Sequence, residues 1–191
     1  MRRTAESVDI DLYSYCLMPT HFHFVVRCDQ GVDLSAYMRL LLNRHVRLHH
    51  KNHGTTGRGH LYQGRYKNFV IGDTLHLQNV LRYVEGNAWR AGLVSKPEEW
   101  PWSSLSELAA QPERPVLTPW PIERPTDWTE CVSSSLPMYE LNRIRAAVHR
   151  GRPYGPPEWE ERGELADELR HTFNPRGRPP ANGRIVVPCE L

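Results

Sequence analysis

Two short segments near the start of the chain alternate in polarity, as β-strands do. In residues 8–17, apolar side chains fall at both even and odd positions, so both faces of this predicted strand are at least partly covered. Residues 21–28 predict a second strand, and Met18-Pro19-Thr20 supplies a tight connection between the two. We therefore expect the two strands to pair as a hairpin.

Apolar residues recur at helical spacing after Asp33, which is a residue type that caps helix N-termini. This stripe comprises Leu34, Tyr37, Met38, Leu41, Leu42, His45 and Leu48. Residues 60–71 predict a third strand that is rich in Tyr, Phe and Val but interrupted by Gly64. Asp73 or Thr74 caps a second predicted helix, which fades near Asn87.

The second half of the chain has weaker patterning, so its organisation is predicted mainly from composition. Residues 8–105 are predicted to form the main domain, and residues 106–137 a Pro-rich linker. Residues 138–173 predict a small helical extension, with helices at 138–150 and 156–172. Residues 174–191 have little to fold around and are predicted to be disordered unless bound.

Charge is divided unevenly along the chain. Residues 1–96 hold 13 Lys or Arg and 7 Asp or Glu, a balance of +6, whereas residues 97–191 hold 11 and 15, a balance of −4. A basic N-terminal half suits a polyanionic partner, although an ordinary solvated surface explains the charge equally well by itself.

Cysteine spacing and the lack of long apolar segments point to a reducing, aqueous compartment. No apolar run approaches the roughly 20 residues that span a membrane, and the N-terminus lacks the apolar stretch of a signal peptide. The cysteines show no CxxC spacing and are predicted to be free thiols: Cys16, Cys28, Cys131 and Cys189. We therefore predict a cytoplasmic location.

His21 and His23 are the first candidates for chemistry. Residues two apart in a strand share a face, so both imidazoles point the same way while Phe22 and Phe24 point into a core. Two imidazoles on one face can hold a metal ion. Two polar residues on a solvated strand face would give the same pattern, so the pair needs independent support.

Tyr83 and Asn87 supply that support. They are four residues apart on the second predicted helix, which places them on one face a turn apart. Asparagine offers a carbonyl oxygen as a third metal ligand, and tyrosine offers a hydroxyl nucleophile. A tyrosine packed at the helix edge and an asparagine that ends the helix is the alternative interpretation.

Four separated stretches resemble, in order and spacing, the REP-associated tyrosine transposases, which are relatives of the single-tyrosine HUH insertion-sequence transposases. They are residues 15–26 (YCLMPTHFHFVV), 62–67 (YQGRYK), 83–94 (YVEGNAWRAGLV) and 100–104 (WPWSS). Residues 151–155 (GRPYG) and 175–179 (PRGRP) are similar to the C-terminal region of some members. The resemblance runs from about residue 9 to residue 180.

This resemblance implies an enzyme that cuts and rejoins single-stranded DNA near hairpins made from palindromic repeats. His21, His23 and Asn87 would hold Mg²⁺ or Mn²⁺, and Tyr83 would attack the scissile phosphate. The product in this family is a 5′-phosphotyrosine link with a free 3′-hydroxyl, so joining needs no ATP. The sequence does not identify the residue that activates the tyrosine.

Basic and aromatic residues near the predicted first helix and third strand are candidates for DNA binding. Lysine and arginine position phosphates, and tyrosines such as Tyr62 and Tyr66 can stack on unpaired bases. The basic candidates are Arg39, Arg44, Arg47, Lys51, Arg58, Arg65, Lys67, Arg176 and Arg178.

The sequence departs from the family pattern in three ways. Family members usually show Asn where this chain has Thr20, and Pro where it has Ala88. The implied fold is ferredoxin-like and α+β, βαββαβ with a central antiparallel sheet, followed here by a C-terminal helical and irregular extension. Its first strand and first helix have no counterpart before residue 8. We therefore expect an exposed sheet edge, an exposed apolar patch and reduced stability.

Two other functions fit parts of the sequence. The chain could bind hairpin DNA without cutting it, as an inactive truncated transposase would. It could also be a small structural zinc protein that uses His21, His23 and Cys28, although this spacing matches no usual zinc pattern. Neither the DNA sequence recognised nor the oligomeric state, monomer or dimer, follows from the sequence.

Overall fold

An antiparallel hairpin carries the two histidines. It consists of β1 (Asp11–Leu17) and β2 (Phe22–Arg27), so the predicted hairpin is confirmed. The computed structural model describes Thr4 and residues 7–28, 31–106, 111, 114–156 and 172. Cys16 is paired with His23 in the register. Their side chains therefore share one face of the sheet, while Phe22 and Phe24 lie on the other.

Helix α1 (Gly31–His53) covers the phenylalanine face. It begins two residues before Asp33, so the predicted cap position is wrong. Its first half packs through Tyr37, Met38 and Leu41, which are buried against Phe22 and Phe24. Leu48 is 50% exposed, so the apolar stripe loses its packing partner before the helix ends.

The third strand predicted for residues 60–71 does not form. Residues 54–70 are turns and irregular segments, and Ile71 makes one isolated parallel bridge to Tyr154. Gly54, Gly57 and Gly59 have positive φ angles of 61°, 85° and 88°, which turn the chain sharply after α1. The alternating residues after them find no neighbouring strand among the described residues, and alternation without a partner does not make a strand.

Helix α2 (Thr74–Glu85) covers the histidine face of the hairpin. Asp73 is its N-cap, and the Asp73 carboxylate accepts a hydrogen bond from the His76 N–H at 2.8 Å, as the sequence predicts. Val80, Leu81 and Val84 are buried in the core that includes Cys16 and Val25. The helix ends at Glu85, and a short helix α3 (Asn87–Arg90) begins after Gly86.

The free side of β1 is covered by later parts of the chain. After a 3₁₀ turn at Pro97–Glu99, the Leu17 N–H donates to the Trp102 carbonyl and the Ser104 N–H donates to the Tyr15 carbonyl, each at 2.9 Å. The Thr118 N–H donates to the Leu12 carbonyl at 2.9 Å. Among the described residues, no strand pairs with the other side of β2.

Two further helices complete the described fold, α4 (Trp128–Ser133) and α5 (Met138–Arg150). Helix α5 matches its prediction, whereas α4 lies in the segment predicted as a linker. Trp128, Val132 and Ile144 are buried in the same core as α2 and the hairpin. The α+β class is confirmed, and the domain boundaries at 105 and 137 stay predictions.

Several predictions concern the ends of the chain or its surroundings. The helix at 156–172, the tail from 174 and the basic residues Arg176 and Arg178 lie outside the described residues, apart from isolated positions. Within the described ranges no helix has the length and apolar character needed to cross a bilayer. Cys16 and Cys131 are free thiols, as predicted.

Candidate functional site

His21 lies directly before β2 and His23 lies within it, and their rings are neighbours. Their ring centroids are 5.0 Å apart and the rings are nearly perpendicular. His21 is exposed, and its Nδ1 is 3.1 Å from the Thr20 hydroxyl, with which it forms a hydrogen bond. That bond uses one ring nitrogen and leaves Nε2 for a ligand, so the neighbouring threonine orients the first histidine.

His23 is half-buried, and its surroundings favour the neutral ring. Burial, together with the nearby His21 and Arg90 side chains, lowers the pKa of His23 to about 4. The imidazole is therefore uncharged near neutral pH. A neutral imidazole is the form that binds metal ions.

Tyr83 reaches the histidines from the last turn of α2. Its ring centroid is 5.7 Å from that of His23, and the two rings are nearly perpendicular. The tyrosine also packs against the core formed by α2 and the hairpin. His21, His23 and Tyr83 therefore form one continuous row of rings, although they come from two elements 60 residues apart in sequence.

Asn87 is the first residue of α3, so it does not share a helix with Tyr83. The Asn87 Nδ2 atom is buried and has no hydrogen-bond partner among the described residues. Because the two ends of a side-chain amide have the same shape, a half-turn of the amide would put its oxygen in the same place. An unpaired buried amide is costly unless a ligand satisfies it.

Ala88 gives a physical reason for one departure from the family pattern. It is fully buried, and its backbone N–H donates a hydrogen bond to the Cys16 sulfur on β1. A proline at this position would have no N–H to donate. The alanine thus fastens the start of α3 to the hairpin.

Arg90, which sequence reasoning missed, lies against Tyr83. The Arg90 Cζ is 4.5 Å from the centroid of the Tyr83 ring, and the guanidinium donates hydrogen bonds to the carbonyl oxygens of Tyr83 and Arg82. Burial lowers the pKa of Arg90 to about 10, so the side chain is still charged at neutral pH. Its spacing of seven residues from Tyr83 was not a helical signal, because the helix that bears Tyr83 ends at Glu85.

The donor set fits a divalent ion with mixed nitrogen and oxygen ligands. In the described part of the chain, no three His, Cys, Asp or Glu side chains lie close enough to hold a metal ion. His21, His23 and Cys28 therefore do not form the alternative zinc site. A metal at the two histidines would need a ligand of another type, such as the side-chain oxygen of Asn87 that the sequence predicts.

Below the end of α2, a buried carboxylate joins four parts of the fold. Glu85 is 1% exposed. Its oxygens accept hydrogen bonds from the Ser14 hydroxyl at 3.2 Å, the Ser104 hydroxyl at 2.6 Å and the Trp128 Nε1–H at 2.6 Å. Burial raises the pKa of Glu85. The residue fixes the end of the helix that carries Tyr83.

Seven of the nine predicted DNA-binding residues fall in one acid-free stretch. Residues 34–72 contain seven Lys or Arg and no Asp or Glu. All seven are exposed: Arg39, Arg44, Arg47, Lys51, Arg58, Arg65 and Lys67. Tyr66 packs beside α1 and its hydroxyl bonds that of Ser35 at 3.1 Å, whereas the half-buried Tyr62 bonds His45 at 2.6 Å.

Comparisons with known proteins agree with the motifs. Residues 1–87 match the model of a family described as "Transposase IS200 like". A Haemophilus influenzae protein named "Putative REP-associated tyrosine transposase" is 25% identical over 112 residues. The alignment covers 54% of this chain and 64% of that protein, so this chain spans less than two thirds of the relative. No solved structure matches the chain.

Proposed function

We propose, from the match of residues 1–87 to the IS200-like transposase family, that this chain cuts and rejoins single-stranded DNA beside hairpins. The family implies a DNA-cleaving enzyme with DNA as its partner. We further propose that the reaction depends on a metal ion and that Tyr83 is the nucleophile. We also propose a ferredoxin-like arrangement of the domain.

The row of His21, His23 and Tyr83 carries this proposal. Ring-centroid distances of 5.0 and 5.7 Å put the two proposed metal ligands next to the proposed nucleophile. The alternative interpretations, a solvated strand face for the histidines and an unrelated packed tyrosine, do not explain why Tyr83 lies next to His23. The Asn87 side chain, whose buried Nδ2 has no hydrogen-bond partner among the described residues, is proposed as the third ligand.

In the proposed step, the Tyr83 hydroxyl oxygen attacks the phosphorus of the scissile phosphate. A phosphorus–oxygen bond to Tyr83 forms and the bond to the 3′ oxygen breaks. The phenol proton passes to solvent, and the 3′ oxygen takes one up. The downstream strand is left on the enzyme as a 5′-phosphotyrosine, from which a 3′-hydroxyl can displace Tyr83 without ATP.

His21, His23 and Asn87 would hold the metal. Bound Mg²⁺ or Mn²⁺ would supply Lewis-acid polarisation of the phosphate and offset its developing charge. The part played by His23 is to present an uncharged nitrogen, because burial keeps its ring neutral. The part played by Thr20 is to hold His21 in one orientation.

The acid-free stretch of residues 34–72 is proposed as the surface that meets the DNA backbone. Seven exposed cations without a neighbouring carboxylate in sequence give a local charge of +7, against +2 for the whole chain. Contacts of this kind position phosphates and make binding sensitive to salt. Arg176 and Arg178 are proposed to extend this surface from the C-terminal tail.

Incubation with hairpin-bearing single-stranded DNA and Mg²⁺ or Mn²⁺ tests the proposal. We expect a covalent adduct that retains a label at the 3′ end of the DNA and loses a label at its 5′ end, because the linkage is 5′-phosphotyrosyl. The adduct should be absent in Tyr83→Phe and with a chelator. Tyr139→Phe, which changes a tyrosine that is 64% exposed on α5, is the matched control.

Three results would decide against the proposal. An adduct that persists in Tyr83→Phe would assign the nucleophile elsewhere. An adduct that retains the 5′ label would reverse the polarity of cleavage. DNA binding without any adduct in the unmodified chain would identify a hairpin-binding protein that does not cut.

A further inference from the structure

The end of α2 is closed by the side chain of Arg90. The last carbonyl groups of a helix lack partners within it and carry partial negative charge, which a cation offsets. Arg90 donates to two of them, the carbonyls of Arg82 and Tyr83, and its guanidinium also lies over the Tyr83 ring at 4.5 Å. One side chain therefore holds both the backbone and the ring of the same tyrosine.

Gly86 makes room for this contact. A Cβ at position 86 would lie 2.8 Å from Arg90 Nη1, 3.0 Å from the Arg82 carbonyl oxygen and 3.2 Å from a Val132 methyl group. Gly86 has φ −83°, so the glycine is not required by backbone conformation. The space beside its Cα is what the guanidinium occupies.

The charge of Arg90 has no acidic partner within the described residues. The nearest candidate along the chain, Glu85, is engaged by Ser14, Ser104 and Trp128. An arginine kept for stability alone would normally be paired when half-buried. Here the hydrogen bonds and the ring contact of the guanidinium among the described residues are made with Arg82 and Tyr83.

We propose that Arg90 is a positioning residue that clamps Tyr83 beside His23, and that Gly86 is required for the clamp. The inference rests on the proposed role of Tyr83 as the nucleophile. The guanidinium contacts two carbonyl oxygens and a ring face at the same time. The flexible ammonium group of a lysine could not make these contacts together, so lysine should not replace Arg90.

The test uses the full chain and measures the rate of adduct formation at saturating hairpin DNA, the DNA dissociation constant and hydrogen exchange across residues 82–91. Arg90→Ala and Arg90→Lys should both slow the adduct step on the order of 10- to 100-fold, since small misplacements of a nucleophile have large effects. The dissociation constant should stay within a few-fold of the original.

Gly86→Ala tests the same clamp without removing the arginine. The added methyl group should displace the guanidinium and slow adduct formation. In the double variant with Arg90→Ala, the rate should be little lower than in Arg90→Ala alone, because both changes disrupt the same contact. Full activity in Arg90→Lys would overturn the proposal in favour of a simple requirement for charge. Additive losses in the double variant, or unchanged rates at equal folded fraction, would overturn it as well.

Two measurements distinguish an error in the proposed function from an error in the proposed clamp. If the unmodified chain forms no adduct, the nucleophile assignment fails, and hydrogen exchange still tests the geometry. Both Arg90→Ala and Gly86→Ala should then speed exchange at residues 82–91 while leaving α1 unchanged. Exchange that is no faster in either variant would overturn the clamp.

Discussion

At the scale of single residues, the candidate site depends on neighbours that orient its side chains. The Thr20 hydroxyl holds His21 Nδ1 at 3.1 Å and leaves the other nitrogen free. We predict that Thr20→Ala weakens Mn²⁺ binding on the order of 10-fold, as loss of an orienting hydrogen bond generally does. Titrating adduct formation with Mn²⁺ measures the change.

Thr20→Ser is the matched control, because it retains the hydroxyl and should bind Mn²⁺ as the unmodified chain does. Thr20 is exposed, so neither substitution should alter the free energy of unfolding by more than about 0.5 kcal/mol. Equal Mn²⁺ affinity in the alanine and serine variants would mean that the hydroxyl does not orient the ligand.

The sequence predicted the positions of side chains that follow from the regular repeat of a strand. It did not predict the positions of side chains that lie beyond the break at the end of α2. Strand alternation alone placed His21 and His23 on one face, and the rings are indeed adjacent. Helical spacing failed for Asn87, because the helix that bears Tyr83 ends at Glu85. Arg90 could not be assigned from spacing, since its contact depends on a guanidinium that folds back through the space left by Gly86.

At the scale of elements, Glu85 is the point where α2, β1, the Trp100–Ser106 segment and α4 meet. Its carboxylate accepts three hydrogen bonds from buried donors. We predict that Glu85→Ala lowers the free energy of unfolding by at least about 2 kcal/mol, because buried donors lose their acceptor. Urea unfolding followed by tryptophan fluorescence measures the loss.

Glu85→Gln separates hydrogen bonding from charge. Its amide oxygen still accepts from Ser104 or Trp128, so this variant should retain most of the stability that the alanine variant loses. Similar losses in both variants would mean that the negative charge, and not the set of hydrogen bonds, joins these elements.

Helices were predicted correctly where an amphipathic apolar stripe packs against the core. Helices α2 and α5 lie where apolar residues recur at helical spacing, and Asp73 caps the former as its residue type predicts. Residues 60–71 show that alternation is insufficient, because a strand needs a neighbour and three glycines turn this segment away after α1. Helix α4 was missed because it has only six residues, too few for a helical period to be visible.

At the scale of the whole molecule, one core joins residues on both sides of the Pro-rich segment. Trp120 Nε1–H donates to the Tyr13 carbonyl at 2.8 Å, and Trp128 packs against Trp120 with ring centroids 4.8 Å apart. Proline-rich composition predicts only that a segment lacks regular structure. Its contact with β1 depends on Trp120, whose partner Tyr13 is 107 residues away in sequence, and no local pattern contains that pairing.

Ile144 on α5 tests whether this shared core unfolds as one unit. It is fully buried with Val80, Leu81 and Val132. We predict that Ile144→Ala lowers the free energy of unfolding by about 2–5 kcal/mol, through lost apolar burial and the cavity left behind. Hydrogen exchange should increase in the hairpin as well as in α5, because both depend on the same core.

Met138→Ala, on the same helix, is the control for this substitution, since Met138 is 66% exposed and should change stability by no more than about 0.5 kcal/mol. Two separate unfolding transitions in Ile144→Ala, with exchange in β1 and β2 unaffected, would instead assign α5 to an independent unit. A single transition at lower urea concentration would mean that the C-terminal helices help to hold the hairpin under Tyr83. Adduct formation by Ile144→Ala should then fall with the folded fraction and by no larger factor, because the substitution leaves His21, His23 and Tyr83 in place.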